Sequence, residues 1–83
     1  MKTSILQYPV VIEPDTDTGS KKPGFTAYCP SLGIADDGNS IDEALSNLKN
    51  TIEFHLACLK AEGESIPQPS LNGIFTSIQV AFP

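Results

Sequence analysis

Apolar and polar residues alternate with a period of two over several stretches of this chain and recur every three or four residues over one. Residues 3–13, "TSILQYPVVIE", read as a long strand, with Ile5, Gln7 and Val11 on one side and Leu6, Tyr8, Val10 and Ile12 on the other. Apolar side chains on both sides describe a strand covered on one face and contacted on the other. Pro9 cannot donate to a ladder, so it marks an edge or a bulge. Residues 14–24, "PDTDTGSKKPG", hold no apolar side chain and predict a hairpin with a long, mobile tip. The next strand, "FTAYC", sets Phe25, Ala27 and Cys29 against Thr26 and Tyr28, and Pro30 ends it. "LGIAD" is a short third extended piece leading into an acidic turn at "DGNS".

The period then changes. Ile41, Leu45, Leu48, Ile52, Leu56 and Leu59 recur at helical steps, which makes one apolar stripe. Ala44, Cys58 and Ala61 widen it and let the helix lie close on a sheet. Ser40 and Glu43 form S-x-x-E: the serine hydroxyl takes the amide of Glu43, and the glutamate reaches back to the amide of Ser40. Asp42 and Glu43 also complement the positive end of the helix dipole. Glu62-Gly63 is the expected stop, since glycine accepts the left-handed conformation that ends many helices. After an extended connection with Pro67 and Pro69, residues 74–82 alternate again, Ile74, Thr76, Ile78, Val80 and Phe82 against Phe75, Ser77, Gln79 and Ala81.

The predicted fold is therefore α+β in the order β-β-β-α-β, a single domain over residues 1–83. Three strands form an antiparallel meander, and the helix crosses over to place a fourth strand parallel to the first. One helix covers one face of this four-stranded sheet. The other carries Tyr8, Tyr28 or Phe75 according to register, and these are the candidate contacts of a homo-oligomer, a dimer or tetramer.

Charge narrows the partners. The 83 residues carry ten acids against five lysines and no arginine, a net charge of -5. Phosphate recognition favours arginine's planar fork and nucleic acids need a basic face, so direct DNA or RNA binding is not expected; an acidic surface suits a basic partner. No apolar run approaches the roughly 18 residues of a membrane span, and no cleavage pattern of a signal peptide is present. The expected location is the cytoplasm, with Cys29 and Cys58 as reduced core residues rather than a disulfide.

Residues 29–49 read C-P-x-L-G-I-A-x-x-G-x-S-x-x-E-A-L-x-N-L-K. With "YPVVIEPD" before this block and "IPQPS…SIQVAFP" after it, the chain resembles the HicB-like antitoxin family from Tyr8 to Pro83. The resemblance implies a partial RNase H-like fold of the same element order. It also implies a function: a protein antitoxin of a type II toxin–antitoxin system that binds and neutralises a small basic toxin, an mRNA-cleaving ribonuclease of the HicA type. Larger members add a helix-turn-helix or ribbon-helix-helix domain for autoregulation; this chain stops at the predicted fourth strand. It also departs from the family's short first turn by inserting residues 18–23.

The residues offer little catalytic equipment, and no enzyme activity and no cofactor are expected. A nuclease of the RNase H kind needs carboxylates on the first strand, helix and last strand to hold two metals. Here the first strand centres on Gln7 and Tyr8, the last offers Gln79, and only Glu13 and Glu53 remain. His55 and Cys58, with Cys29, have the residue types of a metal site, but their neighbours Leu56, Ala57 and Leu59 describe a core. Asp36 and Asp37 keep three readings: a solvated turn before the N-cap; with Asp42 and Glu43, an acidic lip that meets a basic toxin; or metal ligands. Glu13, Asp15 and Asp17 form a second acidic group in the first loop.

Overall fold

A computed structural model of the protein describes residues 5–16, 23–70, 72–74 and 76–83. The elements are β1 (Val11–Thr16), β2 (Pro23–Cys29), β3 (Ile34–Gly38) and α1 (Ile41–Ala61). The strands form an antiparallel sheet in the order β1-β2-β3, the meander the alternation predicts. Its register sets Val11 beside Tyr28 and Ile12 beside Ala27, then Ala27 beside Asp36 and Tyr28 beside Ala35. The hairpin tip, residues 17–22, lies outside the described residues.

The first strand starts later than expected and runs further. Residues 5–10 carry no strand pairing, and the ladder begins at Val11. Pairing reaches through Pro14, opposite Phe25, to Thr16 opposite Pro23. A proline is tolerated there because β1 is an edge strand and Pro23 opens β2. Tyr8, Val10 and Ile12 pack against the core, while Ile5 is 93% exposed, so the two-sided apolarity of this stretch resolves into one covered side and one bare one.

The core is small. Ala27 and Cys29 from β2 meet Ala44 and Leu48 from α1, all buried, with Phe25, Leu32, Ile34 and Ile52 packed around them. The helix lies over β3 and β2 rather than over β1. Its buried line therefore runs Ala44–Leu48, flanked by half-buried Ile52, Leu56 and Leu59, whereas Ile41 and Leu45 sit at the margin and Ala61 and Cys58 are exposed. Small residues at Ala44 and Ala27 let helix and sheet approach closely. The approach is closest at Gly38: a Cβ there would stand 2.8 Å from Glu43 C and 2.9 Å from Ala44 Cα, and closer still to Ala44 N.

The helix starts and stops where the sequence prescribes, with one capping bond shifted by a residue. Ser40 Oγ accepts from Glu43 N at 3.1 Å, and Glu43 Oε1 accepts at 3.2 Å from Asn39 N, one residue before the expected amide of Ser40. At the other end Gly63 has φ +73°. Glu64 N donates to Leu59 O at 2.9 Å and Gly63 N to Lys60 O at 3.1 Å, the paired bonds of a Schellman motif. Beyond it, Tyr8 Oη donates to Pro67 O at 2.6 Å, and Ser70 N donates to Ser31 Oγ in the β2–β3 turn at 3.3 Å.

The predicted fourth strand is not formed: among the described residues the sheet has three strands. A strand persists only against a partner edge, and the tethers on Pro67 and Ser70 carry the chain across the end of the sheet to the β2–β3 turn. Past that turn the described residues pair with no edge. Ile74, Ile78, Val80 and Phe82 are 86, 87, 73 and 92% exposed. The molecule measures 54 × 31 × 20 Å with a radius of gyration of 15.7 Å, against about 12 Å for a compact chain of this length. None of the described helices is long and apolar enough to cross a membrane.

Candidate functional site

Because directly paired residues share a sheet face, the register assigns every acid in the meander. Ile12, Ala27 and Asp36 point toward the helix; Glu13, Thr26 and Asp37 point away from it, as do Val11, Tyr28 and Ala35. Asp36 and Asp37 thus do not share a turn. They are consecutive residues of β3 and project to opposite faces.

Asp36 is committed to the fold. Its Oδ2 accepts from Thr51 Oγ1 of α1 at 2.6 Å and its Oδ1 accepts from Asp37 N at 2.9 Å. Asn47 Nδ2 adds a second clasp from helix to strand, donating to Asp37 O at 2.8 Å. Glu43 is occupied in the capping box, and Asp42 is exposed in the first helical turn. The four carboxylates of the expected lip are therefore split. Asp36 and Glu43 hold the β3–α1 junction, and Asp37 and Asp42 keep exposed carboxylates.

The face opposite the helix gathers a different set. Asp37 shares it with Glu13 and Asp15, and Asp15 Oδ2 accepts from Thr26 Oγ1 at 3.1 Å. Glu13, Asp15 and Asp37 are all exposed. Beside them Tyr28, 43% exposed, lies between Val11 and Ala35, so the open face has one acidic end and one apolar end. A period of two places Glu13 and Asp15 on one side of a strand, but joining them to Asp37 takes the register, which spacing alone does not provide.

Tyr8, a candidate interface residue, packs half-buried against the core. Desolvation there pushes its phenol above the ordinary 10.0, and charge repulsion from Cys29 adds to the rise. Phe75, the third interface candidate, lies outside the described residues. The metal candidates do not converge: Cys29 is buried under the helix, Cys58 is exposed, and among the described residues no three His, Cys, Asp or Glu side chains are grouped to hold a metal ion. Glu13 is on the open face while Glu53 lines a different feature, a cleft of about 540 Å³ between residues 5–10 and α1. Its walls are Ile5, Leu6, Tyr8 and Val10 on one side and Leu45, Leu48, Ile52 and Leu56 on the other, with Lys49 and Glu53 at hand.

A three-stranded meander backed by one capped helix, with its second face open, defines a small α+β domain. The chain belongs to the UPF0150 family. It is 32% identical over 68 residues to a UPF0150 protein of Synechocystis sp., covering 81% of this chain and 80% of that protein. It is 37% identical over 60 residues to a UPF0150 protein of Helicobacter pylori, covering 71% of this chain and 82% of that one. No family model matches the chain, and no solved structure matches it.

Proposed function

We propose that this protein is a non-enzymatic binding module, the antitoxin of a type II toxin–antitoxin system, which neutralises a HicA-type mRNA-cleaving ribonuclease by direct binding in the cytoplasm. The observation that carries the reading is the open sheet face, where Glu13, Asp15 and Asp37 stand exposed beside Tyr28 in a chain of net charge -5. A small toxin that grips RNA must be basic, and a rigid acidic face complements it. Matching of this kind raises association rate and selectivity more than affinity itself. The HicB-like block over residues 29–49 supports the same reading, because it includes both Asp37 and Asn47, whose amide clasps the Asp37 carbonyl to α1. The partial RNase H-like architecture belongs to this proposal, with its fourth strand supplied as argued below.

The test is binding of the protein to a small basic ribonuclease encoded beside its gene, followed by calorimetry. Glu13→Lys with Asp37→Lys is expected to weaken capture at least tenfold and to flatten its salt dependence, with helix content unchanged by circular dichroism. Unchanged affinity in that folded double variant would remove the open face from the reading. A second reading, an orphan homo-oligomer without a toxin partner, is favoured by the exposed apolar side chains of Ile74, Ile78, Val80 and Phe82. Absence of any such neighbouring reading frame, together with self-association of the purified chain, would support it over the first.

A further inference from the structure

The arm and the cleft between residues 5–10 and α1 each present apolar side chains. The arm presents Ile74, Ile78, Val80 and Phe82 in alternation, each at least 73% exposed. The cleft is walled by α1 and by residues 5–10, the stretch that leads into β1, and β1 has no partner on its outer edge among the described residues. Helix α1 passes over β2 and β3 and leaves this margin uncovered. Unsatisfied backbone along a sheet edge beside an apolar slot is what an added strand fits, main chain on the edge and alternate side chains in the slot.

In the folded chain the arm stays outside its own cleft, with Ile74, Ile78, Val80 and Phe82 exposed. Pro67 O is held by Tyr8 at the cleft wall and Ser70 N by Ser31 in the β2–β3 turn, and Pro67 and Pro69 stiffen the segment that leads to the arm. We infer that two copies of this chain exchange arms, the segment 74–82 of each completing the sheet of the other along residues 5–10 and β1. Reciprocal exchange of one element closes with two-fold symmetry and leaves no open end.

The exposed area is sufficient for this occupant. The chain exposes 6984 Å², where a compact protein of 8.9 kDa exposes about 4,800 Å². Each buried Ile, Val or Phe removes roughly 60–120 Å² of apolar area at the usual coefficient. Four such side chains on each of two arms, plus the cleft walls they cover, amount to about 1,400 Å², within the roughly 1,200–2,000 Å² of a stable interface. The inference is independent of toxin capture, since it uses neither the open face nor its carboxylates.

Sedimentation equilibrium on the full-length chain tests it, together with hydrogen exchange of the arm amides. The expected result is a dimer with protected amides over residues 76–82. Ile78→Glu with Val80→Glu in the arm, and separately Leu45→Glu at the cleft wall, are each expected to raise the dimer dissociation constant at least a hundredfold. Helical circular dichroism should be retained, because the arm pair is exposed within the single chain and Leu45 is 37% exposed. A monomeric wild type with protected arm amides would mean that the arm closes on its own cleft; a monomer with unprotected ones would mean that it closes on nothing. A dimer indifferent to the arm pair would place the interface elsewhere. Each of these three results overturns the inference.

Discussion

Gly38 shows how a single residue couples the meander to its helix. It ends β3, and the backbone of the first helical turn occupies the space where a side chain would stand. The obstruction is main chain on both sides, so no rotamer change relieves it. Gly38→Ala is therefore expected to cost about 1–3 kcal/mol, the usual range for forcing extra volume into a packed site. A urea titration followed by circular dichroism would show it as a lower midpoint with unchanged slope. An unchanged midpoint would mean that helix and sheet slide apart without penalty. Gly63 differs in kind, since its need is conformational, with φ +73° and open space around it.

Elements held by local signals were legible in the sequence. Ser40, Glu43 and Gly63 announce the helix and its limits, and the turn residues around Pro30 separate β2 from β3 because each acts within a few positions of itself. The exact buried line of the helix was less legible, because period alone does not say which strands lie beneath it. With α1 over β2 and β3, Ala44 becomes a centre and Ile41 a margin. The facing of Asp36 and Asp37 likewise follows from strand register rather than composition, and the shared "DD" hid one fastener and one exposed acid. Nothing local marked the bond between Tyr8 and Pro67, which joins residues 59 positions apart.

That bond carries its own test. The folded chain holds the Tyr8 proton more tightly than the unfolded chain, mainly through desolvation and secondarily through Cys29. Stability from this group is thus whole below pH 10.0 and is lost as pH rises from there through the folded value; the phenolate also cannot donate to Pro67 O. Wild type should lose stability on this limb, whereas Tyr8→Phe should start lower by about 0.5–1.5 kcal/mol and lose less. Denaturant midpoints at pH 8 and above pH 10 check both halves. Equal losses in the two proteins would show that other groups set the alkaline limb.

At the scale of the whole molecule, the described fold is too thinly cored to account for its own exposed surface. Four buried residues anchor the helix, and a domain of this size buries only a modest share of its chain surface in any case. Single-chain packing and arm exchange therefore make different thermodynamic claims. A monomer unfolds at a temperature independent of its concentration. A dimer whose sheets are completed by exchanged arms unfolds with dissociation, so mass action stabilises it by about 1.4 kcal/mol of dimer for each tenfold rise in protein. With an unfolding enthalpy of about 0.7 kcal/mol per residue, Tm is expected to climb by about 4 °C per decade. Scanning calorimetry across two decades would resolve that slope, and the arm pair Ile78→Glu with Val80→Glu should flatten it. Should Tm of the wild type stay constant over the same range, the exposed arm would be a feature of the single chain, and completion of the sheet by a second copy would have to be abandoned.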